Sequence, residues 1–188
     1  MSSQMSLLGF DEEARPTDRL FFALLPDAAT AQRIATLAAE LRQRLGLQGR
    51  LLEAGRLHIT LHHVGDHVGL PTSVVEAAQR AGDALSSAPF DVCFERAESF
   101  AGRPRNRPFG LRGDEPGLAA VQAFQRQLGL AMARAGLGRW VAPQFTPHVT
   151  LLYDDQLVPA QPIEPIRWQA QDFVLMHSLL GQHRGPGV

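Results

Sequence analysis

At 188 residues and 45% apolar composition, the chain can bury one large core or two small, intimately packed lobes. Its formal net charge of −1 excludes a global field that would draw it onto nucleic acid, so any anion must be recognised by a local arrangement. All 18 basic residues are Arg, which excludes a P-loop or a lysyl-adenylate step, and the single Cys93 excludes an internal disulfide or a cysteine-based metal centre.

Residues 1–17 read as a loose polar tail without a basic leader, and no apolar run approaches the ~20 residues of a membrane helix, so a cytoplasmic protein is expected. Leu20 to Leu25 is a continuous apolar run, expected as a buried strand and closed by Pro26 and the candidate helix cap Asp27. Ile34, Leu37, Ala38, Leu41 and Leu45 recur at helical spacing, and Gly46 ends that helix. A connector leads to a strand predicted over 56–64, a helix over 72–85, and strands over 90–97 and 109–111. Cys93 falls in the first of these last two strands, where a buried inert thiol is expected. A third helix over 115–135 stops at Gly136, a strand runs over 144–153 behind Pro147, and two last strands cover 163–168 and 172–177.

The two halves echo each other. Arg19-Leu20-Phe21, Leu45-Gly46-Leu47 and His58 are matched by Arg107-Pro108-Phe109, Ala135-Gly136-Leu137 and His148 at offsets of 88, 90 and 90 residues. A duplicated strand-helix-strand unit, with pseudo-repeats over about 19–100 and 107–178, predicts one bilobal domain over 18–188 whose repeated strands face each other across a cleft.

Those strands carry Leu57-His58-Ile59-Thr60-Leu61 and Pro147-His148-Val149-Thr150-Leu151. Strand side chains alternate faces, so in each copy the imidazole and the hydroxyl two positions later point the same way, roughly 6 to 7 Å apart. Two such elements facing each other surround one small anion. Metal-free opening of a phosphodiester needs a base for the nucleophile, an acid for the leaving oxygen, and donors on the non-bridging oxygens. His58 and His148 can serve as base and acid, because an imidazole titrates near neutral pH, and the Thr60 and Thr150 hydroxyls can donate to the phosphoryl oxygens. His62 is expected at the cleft mouth on the face of His58, but roughly 13 Å along the strand, too far to share a zinc ion. Arg103, Arg105 and Arg107 form a loop suited to an RNA backbone, and Phe100 and Tyr153 are rings able to stack a base, with a core position the expectation for Phe100.

The paired motifs resemble the H-x-T-x motifs of the 2H phosphoesterase superfamily. Within it the chain is most similar to the RNA 2′,3′-cyclic phosphodiesterases, also called 2′-5′ RNA ligases, from Arg19-Leu20-Phe21-Phe22-Ala23-Leu24 through both motifs to Phe173-Val174-Leu175-Met176-His177-Ser178. The resemblance implies an α+β fold of two antiparallel sheets facing across a central cleft, with helices outside. It also implies opening of 2′,3′-cyclic phosphates on RNA ends or nucleotides to 2′-phosphates without metal or cofactor, with reversible 2′-5′ joining in some members. Neither a membrane nor an obligate protein partner is expected from the sequence. In the family's scheme His148 activates water and His58 protonates the leaving 3′ oxygen. Where many relatives carry Arg shortly after the second motif, this chain has Leu152 and Tyr153, and the chain stops at Val188 where relatives often continue with a further strand. The alternatives are another 2H phosphoesterase, acting on a cyclic ADP-ribose phosphate or 2′-5′ oligonucleotides, and a non-catalytic RNA-end binding module.

Overall fold

The apolar run after Arg19 becomes β1 (Asp18–Leu24), the middle strand of a three-stranded sheet, with Leu20 to Leu24 all buried. The computed structural model describes residues 14–101 and 106–181. The helix α1 (Ala28–Leu45) starts at Asp27, whose carboxylate accepts the Thr30 N–H at 2.9 Å and the Thr30 hydroxyl at 2.7 Å. It ends at Gly46, where φ of 67° and the Leu47 N–H returning to the Arg42 carbonyl close the last turn. After a 3₁₀ turn (Ala54–Arg56) come β2 (Ile59–His67), α2 (Thr72–Asp83), β3 (Phe90–Ser99) and β4 (Arg107–Arg112). The chain continues through α3 (Glu115–Arg134), a second 3₁₀ turn (Gly138–Trp140), β5 (Val149–Asp154), β6 (Gln161–Ala170) and β7 (Phe173–Leu179). No described helix is long and apolar enough to cross a membrane, and Cys93 is buried.

The strands form two antiparallel sheets, ordered β2-β1-β7 and β5-β4-β3-β6. Each sheet takes a strand from the other half of the sequence: β7 lies against β1, and β3 lies against β4. The exchange is the same on both sides, since the last strand of each half joins the first strand of the other. One hydrophobic core therefore runs through both sheets, from Leu20, Phe22 and Leu24 to Val92, Phe94, Phe109 and Leu111. The helix α3 packs on β3 and α2 and reaches β2, while α1 touches β6.

The expected echo is present with two refinements. Both histidines sit one residue before their strands, since the first motif strand begins at Ile59 instead of near Arg56 and the second at Val149. Thr60 pairs with Ala23 and Thr150 with Gly110, so the opening strands correspond at an offset of 87 residues, one fewer than the sequence echo of 88. A one-residue slip moves a side chain to the opposite face of a strand. Arg19 and Arg107 are therefore not counterparts.

The halves are also clamped by one carboxylate. Asp154 at the end of β5 accepts the backbone N–H groups of Gln48 at 2.7 Å, Gly49 at 2.8 Å and Gln156 at 2.9 Å. Gly49 lies so close to β5 that a Cβ there would stand 2.0 Å from the Tyr153 carbonyl oxygen, which leaves no room for any other residue. Burial pushes the Asp154 pKa up, but the backbone donors of Gln156, Gly49 and Gln48 outweigh it and hold the carboxyl below its ordinary range. Asp154→Ala leaves three donors without their acceptor and is expected to lower the unfolding free energy by about 2 to 3 kcal/mol, read from urea denaturation.

Candidate active site

A cleft of about 250 Å³ lies between the two sheets, lined by Arg19, Phe21, Leu52, Arg56, His58, Thr60, His148, Thr150, Tyr153 and Ser178. The structure thus brings together the four motif residues and Tyr153. The two imidazoles are held identically. His58 Nδ1 lies 2.8 Å from the Arg56 carbonyl oxygen, and His148 Nδ1 lies 2.8 Å from the Thr146 carbonyl oxygen. A carbonyl only accepts, so Nδ1 carries the proton in each neutral ring and Nε2 is left as the free lone pair. An aromatic ring rests beside each imidazole. Phe21 lies 5.1 Å from His58 and Phe100 lies 4.8 Å from His148, centroid to centroid, and the Arg112 guanidinium sits 5.1 Å over the Phe100 ring.

Burial lowers the His58 pKa below the ordinary 6.5, and the nearby His148 and Arg56 charges lower it further against the opposing bond to the Arg56 carbonyl. The free site therefore favours a neutral His58. Arg19 enters from β1 and is gripped by Asp66 on β2, with Nε to Oδ1 and Nη2 to Oδ2 both at 2.7 Å. That bidentate contact, helped by His63 at 2.9 Å, lowers the Asp66 pKa to about 2 despite partial burial. The sequence reading missed Arg19, Arg56 and Ser178 as cleft residues and Phe21 and Phe100 as neighbours of the imidazoles. Arg56 and Phe21 lie within two residues of motif or opening-strand positions, and that closeness was the available signal.

His62 does not stand at the cleft mouth. Along β1 the step from Ala23 to Phe22 is matched on β2 by the step from Thr60 to His62, so one extra residue bulges out at Leu61. The bulge reverses the alternation, and His62 points into the core with 1% of its surface exposed. There Nε2 donates to the Gln125 carbonyl at 2.9 Å and Nδ1 accepts the Ala142 N–H at 3.3 Å. The second motif has the same bulge, at Leu151 between Thr150 and Leu152. Gly65, with φ of 105°, allows β2 a second bulge before Asp66. Arg107 opens β4 and donates to the Asp155 carbonyl at 2.5 Å instead of lining the cleft, as the one-residue slip requires. Arg103 and Arg105 lie outside the described residues.

No group of three or more potential metal ligands occurs among the described residues. The fold and the two-histidine cleft define the class as a 2H phosphoesterase. Residues 25–178 match the 2′-5′ RNA ligase superfamily, and the chain belongs to that family. Solved structures share the fold. LigT of E. coli complexed with phosphate is 26% identical with a TM-score of 0.62, covering 91% of this chain and 92% of that one. The same protein complexed with NADP+ gives 25% and 0.62 over 90% and 92%, and TT0787 of Thermus thermophilus gives 19% and 0.63 over 86% and 94%. Among curated proteins, no sequence match is found.

His62→Ala is expected to cost about 2 to 4 kcal/mol of stability through the cavity and the lost hydrogen bonds. Turnover measured well below the melting temperature stays at the wild-type level. His62 is held below its ordinary pKa by burial, against the Gln125 contact. The unfolded chain therefore binds the extra proton first, so its contribution is complete above pH of about 6.5 and is lost as pH falls below it. Removing His62 makes the acid-side decline shallower in urea titrations.

Proposed function

We propose that the cleft opens 2′,3′-cyclic phosphates on RNA ends or nucleotides to 2′-phosphates by two-histidine acid/base catalysis without a metal. The observation that carries this reading is the matched pair of imidazoles, each with Nδ1 bound to a carbonyl at 2.8 Å and Nε2 left for the substrate. The phosphate sits between Thr60 and Thr150, whose hydroxyls donate to its non-bridging oxygens. One imidazole takes a proton from water as the water oxygen bonds to phosphorus. The bond from phosphorus to the 3′ oxygen breaks, and the other imidazole protonates that oxygen. With a 5′-hydroxyl in place of water, the same displacement forms a 2′-5′ linkage, and its reversal needs no further group. The phosphate and NADP+ complexes of the E. coli LigT protein support an anion site with room for a nucleotide.

The lowered His58 pKa supports His58 as the base, with His148 then the acid, the reverse of the roles that the family resemblance implies. Each single variant, His58→Ala or His148→Ala, is expected to reduce kcat on a 2′,3′-cyclic nucleotide by about 10²-fold to 10⁴-fold, with EDTA without effect. A double variant with wild-type turnover would sink the site. For the roles, the acidic limb of kcat/KM lies below pH 6.5, because activity rises as His58 loses its proton. A substrate with sulfur in place of the 3′ bridging oxygen has a leaving group that needs little protonation. It should rescue His148→Ala and not His58→Ala, and rescue of the other variant reverses the assignment.

A further inference from the structure

The cleft does not end at the histidines. It shares Leu52, Arg56 and Tyr153 with an adjoining depression of about 370 Å³ that adds Arg50, Leu51 and Glu53. We propose that this adjoining groove seats the nucleotide on the 5′ side of the cyclic phosphate, so that the protein prefers an oligonucleotide end to a free mononucleotide. This rests on the phosphoesterase reading of the cleft above.

Size favours a longer ligand. The catalytic part alone falls short of the roughly 300 to 1,000 Å³ usual for small-ligand sites, and the two parts together lie inside that range. The chemistry fits a single-stranded polyanion. Tyr153 is 46% exposed at the junction and offers a ring on which a base can stack, with Leu52 beside it. Arg56 stands between the two parts. Arg50 lies beyond it, its nearest acid Glu53 at 3.8 Å and both side chains largely exposed, 88% and 76%. An exposed pair at that separation is weak, so a phosphate can take the guanidinium from Glu53, whose carboxylate turns to solvent.

The groove is also built rigidly, which neither a chance depression nor a solvated loop requires. Its Arg50–Leu52 wall comes from the first half of the chain and its Tyr153 wall from the second. The Asp154 carboxylate fixes Gln48 and Gly49, the Leu52 N–H donates to the Leu151 carbonyl at 2.8 Å, and Arg42 Nε donates to the Gly49 carbonyl at 2.9 Å. A wall already ordered loses little entropy when a strand docks. The topology is compatible as well: an RNA end closed into a cyclic phosphate continues only through its 5′ side, and the adjoining groove shares Leu52, Arg56 and Tyr153 with the cleft but neither histidine.

The test compares kcat/KM of the full chain on uridine 2′,3′-cyclic phosphate and on a trinucleotide ending in the same group. The trinucleotide is expected to be preferred about tenfold or more, the scale of one base stack. Arg50→Ala and Tyr153→Ala are each expected to lower the trinucleotide value several-fold more than the mononucleotide value, with Arg50→Ala acting through KM. A wild-type ratio near one, or equal losses on both substrates, overturns the groove. If neither substrate turns over, the hydrolase reading fails, and the groove is judged by calorimetry instead. Tighter binding of a trinucleotide 2′-phosphate than of uridine 2′-phosphate, weakened in Arg50→Ala, upholds it, and equal affinity overturns it.

Discussion

The structure is organised around one hydrogen bond made twice, from imidazole Nδ1 to the carbonyl two residues earlier. Each bond fixes a tautomer and a ring orientation, and together they leave two Nε2 atoms without protein partners among the described residues, in one cleft. A backbone acceptor two residues away holds its place only if the chain before the strand is itself ordered. The 3₁₀ turn Ala54–Arg56 serves this for His58, and Pro147 precedes His148 at the start of β5. The rings of Phe21 and Phe100 complete the support.

Two facing imidazoles also require that the halves keep one spacing. The exchange of β7 and β3 between the sheets meets that need, because neither half can move away without tearing strands from its partner's first strand. Asp154 adds a local clamp between the α1–β2 connector and the end of β5. The site is thus a seam inside one core and not a gap between two independent bodies.

Much of this was legible in the sequence. The buried run of β1, the Asp27 cap, the Gly46 stop and the two H-x-T elements follow from local patterns, and local patterns depend only on neighbours in the chain. The errors have one physical source. A β-bulge adds a residue without a sequence mark of its own, and after the bulge at Leu61 strict alternation puts His62 on the wrong face. The same kind of slip, one residue in the opening strand, separates Arg19 in the cleft from Arg107 on the Asp155 carbonyl. Ser178 reaches the site through the pairing of β7 with β1, a tertiary approach that spacing does not record.

The charge of the cleft is smaller than its residues suggest, and this bears on what it can release. Arg19 is matched by Asp66, whose pKa of about 2 keeps it ionised through any working pH, so the pair offers directed N–H groups and little net charge. Burial and neighbouring positive charge favour a neutral His58. Among the described residues of the cleft, Arg56 and whichever imidazole is protonated then carry the uncompensated positive charge. A cyclic phosphodiester bears one negative charge, whereas a 2′-phosphate product bears about −1.5 to −2 near neutral pH. A cleft crowded with uncompensated cations would bind the product more tightly than the substrate. For the proposed reaction, Tyr153, which lines the cleft as a neutral ring beside the second motif, keeps the site nearer to the charge of the cyclic substrate than to that of the 2′-phosphate product.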